Sequence, residues 1–155
     1  NTPFRKFKVF SHEGGISTPL IIHWPAGLKT APGTITNYRA QLIDIVPPIL
    51  GITGAAYPDR FRGQAIHPLD GRSFQGLLDA RGAEPAEWMF WHHAQHAAVR
   101  QDDWKALLPR GSRNWQLYDL ATDRSEMKDL ASKHPGRTAA MAEAWERWAR
   151  EHQVK

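Results

Sequence analysis

Lys8, His12 and Glu13 fall within six residues of one another, directly before Gly14-Gly15. These residue types suit anion chemistry. A lysine ammonium is a compact point charge with three donors, matched to a tetrahedral oxyanion. A histidine can donate or accept and titrates near neutral pH. On a loop at a strand end they could line a pocket. The plainer reading of the same residues is a solvated basic loop entering a core strand. A second set is His92, His93 and His96. On a strand, residues 92 and 93 point to opposite faces, so they are poorly placed to share one ion, and His96 follows a bend. Asp44 could ligate a metal, but its position before an apolar helical pattern reads as a helix cap. No Ser-His-Asp order, phosphate loop, dinucleotide fingerprint or zinc spacing is present. Zero cysteines leave no disulfide, thiolate site or cysteine nucleophile within these 155 residues.

The elements that must position these groups follow from local pattern. Gly14-Gly15 reads as a tight turn with positive φ. Leu20-Ile21-Ile22-His23-Trp24 reads as a strand buried on both faces and stopped by Pro25, with His23 a hydrogen-bonded core residue. Residues 40–52 read as a helix, with Pro47-Pro48 near its first turn, Ile45, Ile49 and Ile52 on one face, and Gly54 ending it. Residues 57–71 are irregular. A short helix over 73–80 carries Ser73 as cap and Phe74, Leu77 and Leu78 inward. Past residue 85 the pattern turns to strands: 88–92, 96–100, 104–108 and 115–120, with a hairpin turn at Gln101-Asp102-Asp103. A last helix over 135–152 starts on Pro135. It carries Met141, Trp145, Trp148 and His152 on one stripe beside Ala144, read as core packing rather than a ligand face.

Composition fits a folded protein with one ordinary core: 41% of residues are hydrophobic. The formal charge of +4 favours anionic partners at most mildly and describes a solvated surface equally well. No apolar run reaches the ~20 residues that span a bilayer. The chain opens on Asn1 rather than methionine, so its start reads as processed, engineered or truncated.

A more specific signal comes from residues and spacing together. Asn1-Thr2-Pro3-Phe4-Arg5, Lys8, His12-Glu13-Gly14-Gly15-Ile16, Thr18-Pro19-Leu20-Ile21 and His23-Trp24-Pro25 resemble the type I sulfatases, in particular bacterial arylsulfatases of the alkaline phosphatase superfamily. In that family a lysine five residues before the Glu-Gly-Gly turn contacts the substrate sulfate, and Lys8 stands five before Glu13. Where many members carry arginine after Gly-Gly-Ile, this chain has Ser17. Leu42-Ile43-Asp44-Ile45-Val46-Pro47, Phe90-Trp91, His93, Ala98-Val99-Arg100, Asp103-Trp104-Lys105, Leu117-Tyr118-Asp119-Leu120, Asp123, Glu126 and Asp129-Leu130-Ala131 resemble later family segments more loosely.

The resemblance implies the C-terminal portion of a formylglycine-dependent sulfatase. The implied fold is α/β: residues 1–85 as the end of the catalytic sheet and its helices, then residues 86–155 as a small antiparallel sheet under a C-terminal helix. The implied catalytic residue is Lys8, which also binds substrate together with His12 and His93; no metal ligand is expected here. Calcium and the formylglycine nucleophile, made from a Cys/Ser-x-Pro-x-Arg motif, would come from an N-terminal sulfatase region outside this chain. The implied partners are that region and a sulfate ester, with no nucleic acid and no membrane span. The family's usual setting is periplasmic or secreted. Alternatives are a phosphate or phosphonate monoester hydrolase of the same superfamily, and a non-catalytic module for anionic polymers.

Overall fold

The computed structural model describes residues 2–154. It divides into two compact units, Ile21–Ala86 and a second formed by residues up to Leu20 together with those from Glu87 onward. Residues 2–20 group with the C-terminal sheet rather than with the segment that follows them.

In that C-terminal unit four strands form one antiparallel meander, β3 (Trp88–His93), β4 (His96–Gln101), β5 (Trp104–Leu108) and β6 (Gln116–Asp119), in sequential order. Local chemistry sets the hairpins. Ala94 and Gln95 both adopt positive φ, 48° and 65°, joining His93 to His96 by a two-residue turn. Asp102 (φ 51°) does the same work between Gln101 and Trp104. Primed turns of this kind match the strand twist, and Asp tolerates the left-handed region.

Register then sorts the side chains onto two faces. Val99 opposes Ala106, and Ala106 opposes Leu117. This row packs against Met141 of α4 (Pro135–Glu151). Trp145 Nε1 donates to the Trp91 carbonyl at 3.0 Å, and Phe90 stacks on Trp148 at 5.2 Å. The aromatic stripe is therefore packing, as its spacing predicts. On the opposite face lie Ala98, Leu107 and Tyr118, with Trp91 beside them. Leu107 and Leu117 are fully buried, each contributing about 1.5–3 kcal/mol by leaving water.

Ile21–Ala86 is looser. A 3-10 turn at Leu42–Ile45 runs into α2 (Val46–Thr53), which ends on Gly54 at φ 69°. Asp44 caps this start: its two carboxylate oxygens accept from the Gln41 and Arg72 amides, each at 2.7 Å. The predicted apolar face is not covered, for Ile49 and Ile52 are exposed. A two-stranded ribbon, β1 (Arg60–Phe61) with β2 (Gln64–Ala65), forms where the sequence reads as irregular, turned by Arg62 and Gly63 at positive φ. The helix predicted over 73–80 is the single turn α3 (Gln75–Leu78), burying Phe74 and Leu78.

The predicted strand Leu20–Trp24 is absent. These residues have no regular structure and no sheet partner among the described residues, and Ile21 is 86% exposed. A strand needs neighbours for its amides and carbonyls, and nothing in these residues supplies them. His23, expected in a core, is exposed for the same reason. The apolar sequence is a strand signal whose partners the described residues do not contain.

Candidate functional site

The loop bearing Lys8 lies in the C-terminal unit. Its second half is the one-turn helix α1 (Glu13–Ile16). Here the two glycines serve a purpose other than the one their types suggest. Neither has positive φ. A Cβ on Gly14 would overlap the Arg5 and Lys6 carbonyl oxygens, and one on Gly15 those of Phe10 and Phe7. The glycines let the turn press against the backbone of the preceding loop, and the Gly14 amide donates to the Arg5 carbonyl at 3.1 Å. Positive φ falls instead on Lys6 (64°) and Val9 (86°). For a β-branched residue this is a sparsely populated conformation, held only where surroundings over-determine it.

Those surroundings are ionic. Lys105, on β5, is fully buried, and its Nζ lies 3.0 Å from Glu13 Oε1 and 2.8 Å from Glu126 Oε1. Glu13 and Glu126 are themselves 3% and 0% exposed. The second Glu126 oxygen accepts from the Glu13 amide at 2.8 Å, and the Arg5 guanidinium donates to the Glu126 carbonyl. Arg124 approaches Glu13 Oε2 at 3.7 Å. The 123–128 turn aims Glu126 inward: Asp123 Oδ2 accepts from the Met127 and Lys128 amides, and Glu126 adopts φ 56°. Burial raises the Glu126 pKa, opposed by the Lys105 ammonium.

Of the expected site residues, Lys8 is exposed and His12 is buried. His93 is exposed at the end of β3, directly opposite His96. The Phe10 ring lies 6.2 Å from His12 and 4.9 Å from His96. His93, His96, Ala98, Lys105 and Tyr118 share one sheet face by register, so the loop and His93 belong to the same side of the sheet. His92 points the other way, toward Trp145 at 5.9 Å. Lys105 and Glu126 carry the site's architecture, yet neither stands out in sequence beyond its place in a loose motif. The available signal is a lysine at an inward position of a strand otherwise made of Trp, Ala and Leu. Among the described residues no three His, Asp or Glu side chains converge as a metal site. Glu13 and Glu126 spend their oxygens on cations and an amide, so they do not fit calcium.

A family profile described as N-sulphoglucosamine sulphohydrolase, C-terminal, matches residues 4–153. The chain belongs to this sulphohydrolase C-terminal family. It is 29% identical to an uncharacterized sulfatase of Schizosaccharomyces pombe, over 92% of this chain and 26% of that protein. It is 24% identical to an N-acetylglucosamine-6-O-sulfatase of Bacteroides thetaiotaomicron, over 81% of this chain and 23% of that one. The crystal structure of Ps i-CgsB shares the fold, with a TM-score of 0.72 and 23% identity, over 96% of this chain and 32% of that chain. The sulfatase domain thus spans about a quarter of the length of these curated relatives.

Within this sulfatase domain His12 is a buried group whose charge state ties stability to pH. Burial, and then the nearby Lys105, Arg5, Lys6 and His96 charges, lower its pKa from 6.5 to about 4, and its Nδ1 is buried without a hydrogen-bond partner. A depressed histidine pKa means that the unfolded chain binds more protons between those values, so stability falls as pH drops through that window. Between pH 7 and 5 this amounts to about 2 kcal/mol. Urea unfolding at the two pH values should show that loss in the wild type and not in His12→Leu. Equal pH sensitivity of the two would show that His12 is not held neutral.

Proposed function

We propose that this chain is the C-terminal part of a sulfate-ester hydrolase of arylsulfatase type, and that Lys8 supplies positive charge to the sulfate. The observation that carries the reading is the placement of Lys8. It is an exposed cation of a conformationally constrained loop, five residues before a buried glutamate, in a family-matched domain. An ammonium fixed where negative charge gathers in the transition state is worth far more than a mobile one. His93, exposed on the same sheet side, would form the edge of the substrate site, and His12 would support the loop from beneath. The formylglycine nucleophile and the calcium ligands would come from residues outside these 155. The substrate would be a sulfate ester, and the relative named N-acetylglucosamine-6-O-sulfatase supports a sulfated sugar.

The test is turnover of 4-nitrophenyl sulfate and 4-nitrophenyl phosphate by the complete protein and by the 155-residue chain. The complete protein should prefer sulfate, and the chain alone should release no nitrophenol. Preference for phosphate would move the enzyme to the monoester hydrolases. Turnover by the chain alone would remove the premise that its nucleophile lies elsewhere.

A further inference from the structure

The loop carrying Lys8 is tied down at both ends by one residue. At its start the Arg5 guanidinium donates to the Glu126 carbonyl oxygen. At its end the Glu13 amide donates to Glu126 Oε2 at 2.8 Å. The Gly14 amide closes the loop onto the Arg5 carbonyl at 3.1 Å. Lys8 lies between these two anchors. Glu126 is itself immobilised: its side chain is fully buried, its other oxygen is 2.8 Å from Lys105 Nζ, and Asp123 holds its turn through two backbone amides. The anchoring residue stands 113 positions beyond Glu13, so only the tertiary fold brings it to the loop.

We propose that Glu126 is the positioning residue for Lys8, fixing the height and direction of its ammonium by clamping both ends of the 5–13 loop from beneath. The inference rests on the reading of Lys8 as the sulfate contact. A clamp acts through length, a counter-ion through charge, and the two make opposite demands on substitution. Shortening the side chain by one methylene keeps the charge beside Lys105 but pulls the carboxylate away from the Glu13 amide. Replacing it with the amide isostere keeps the reach and one acceptor, the oxygen toward the Glu13 amide, but drops the charge and turns the NH2 toward Lys105, leaving that ammonium balanced by Glu13 alone.

The experiment uses the complete enzyme on 4-nitrophenyl sulfate, with Glu126→Asp and Glu126→Gln each made alone and in a Lys8→Ala background. For a clamp, Glu126→Asp lowers kcat/KM by roughly tenfold or more, the scale of a small misplacement of a catalytic group. Glu126→Gln stays within about threefold of wild type, and Glu126→Asp adds less than about threefold once Lys8 is gone, because residues acting through one group are not additive. Hydrogen exchange should rise in the peptide spanning residues 6–12 of Glu126→Asp and stay unchanged in β4. The reverse order of the two variants, equal losses with and without Lys8, or a uniform rise in exchange would each overturn the clamp. If Lys8→Ala loses activity and Glu126→Asp does not, the clamp alone fails. If Lys8→Ala retains full activity, the sulfate-contact reading itself fails, and the clamp with it.

Discussion

Lys8→Ala in the complete enzyme should lower kcat/KM on an aryl sulfate by about a hundredfold or more, the scale seen when one group stabilising an oxyanion is removed. The expectation follows from position rather than charge count. Arg5 and Lys6 carry the same charge within three residues of Lys8. Arg5 spends its guanidinium on the Glu126 carbonyl, and Lys6 lies over the Phe10 ring, its ammonium 5.2 Å from the centroid. Lys6→Ala should therefore stay within a few-fold of wild type. Melting temperature should hardly move for Lys8→Ala, because an exposed lysine contributes little to stability. Steady-state kinetics on both variants, beside their melting curves, decide the matter. Equal activity of Lys8→Ala and wild type would remove the assignment.

A larger effect on stability is expected from Lys105→Met. The ammonium is the only side-chain cation within 3.0 Å of both buried carboxylates among the described residues. Removing it leaves buried Glu126 without its cation and Glu13 with only the Arg124 guanidinium at 3.7 Å, and breaking a buried ion pair in this way costs about 3–5 kcal/mol. The loss has a pH signature. Two like charges in a buried site raise the folded carboxylate pKa above the unfolded value, and burial already pushes Glu126 in that direction. A raised folded pKa gives stability that is present at low pH and lost as pH rises through it. The variant's deficit should thus be smaller at pH 5 than at pH 8 in urea unfolding. Adding Glu13→Gln and Glu126→Gln to Lys105→Met should recover part of the loss, since a network removed whole leaves no orphaned charge. A deficit below about 1 kcal/mol, or one independent of pH, would mean that the triad is not the tie it resembles.

Much of the C-terminal sheet was legible from local pattern. The aromatic and β-branched runs from Trp88, the turn at Asp102-Asp103 and the proline start at Pro135 each specify an element whose partners are close in sequence. Nearest-neighbour hairpins need little beyond turn chemistry and alternation, so their register follows. Asp44 as a cap belongs to the same class in part: one carboxylate oxygen accepts from the Gln41 amide three residues away, the other from the Arg72 amide 28 residues on. Lys8 was legible in a different way, through its spacing to Glu13 within a family motif.

Long-range organisation was not legible. Leu20–Trp24 has the composition of a strand, yet a strand exists only through partners, and composition does not say whether the chain holds them. Gly14 and Gly15 were readable as special positions, but their cause is the approach of backbone from residues 5–10 rather than a positive φ. Residue types in the loop alone fit a solvated basic loop as well as an anion-binding one, and only the family resemblance selects Lys8. Its rigidity comes from Lys105 and Glu126, which lie 92 and 113 positions from Glu13. The amino-acid sequence by itself determined the local elements, because propensity, capping and turn preferences act over a few residues, while the candidate cation Lys8 came from the family resemblance. Only the tertiary structure decided which buried charges meet and so where that cation is held. Pairing ions across such a separation requires the whole sheet to form first, excluding water so that each charge must find its partner.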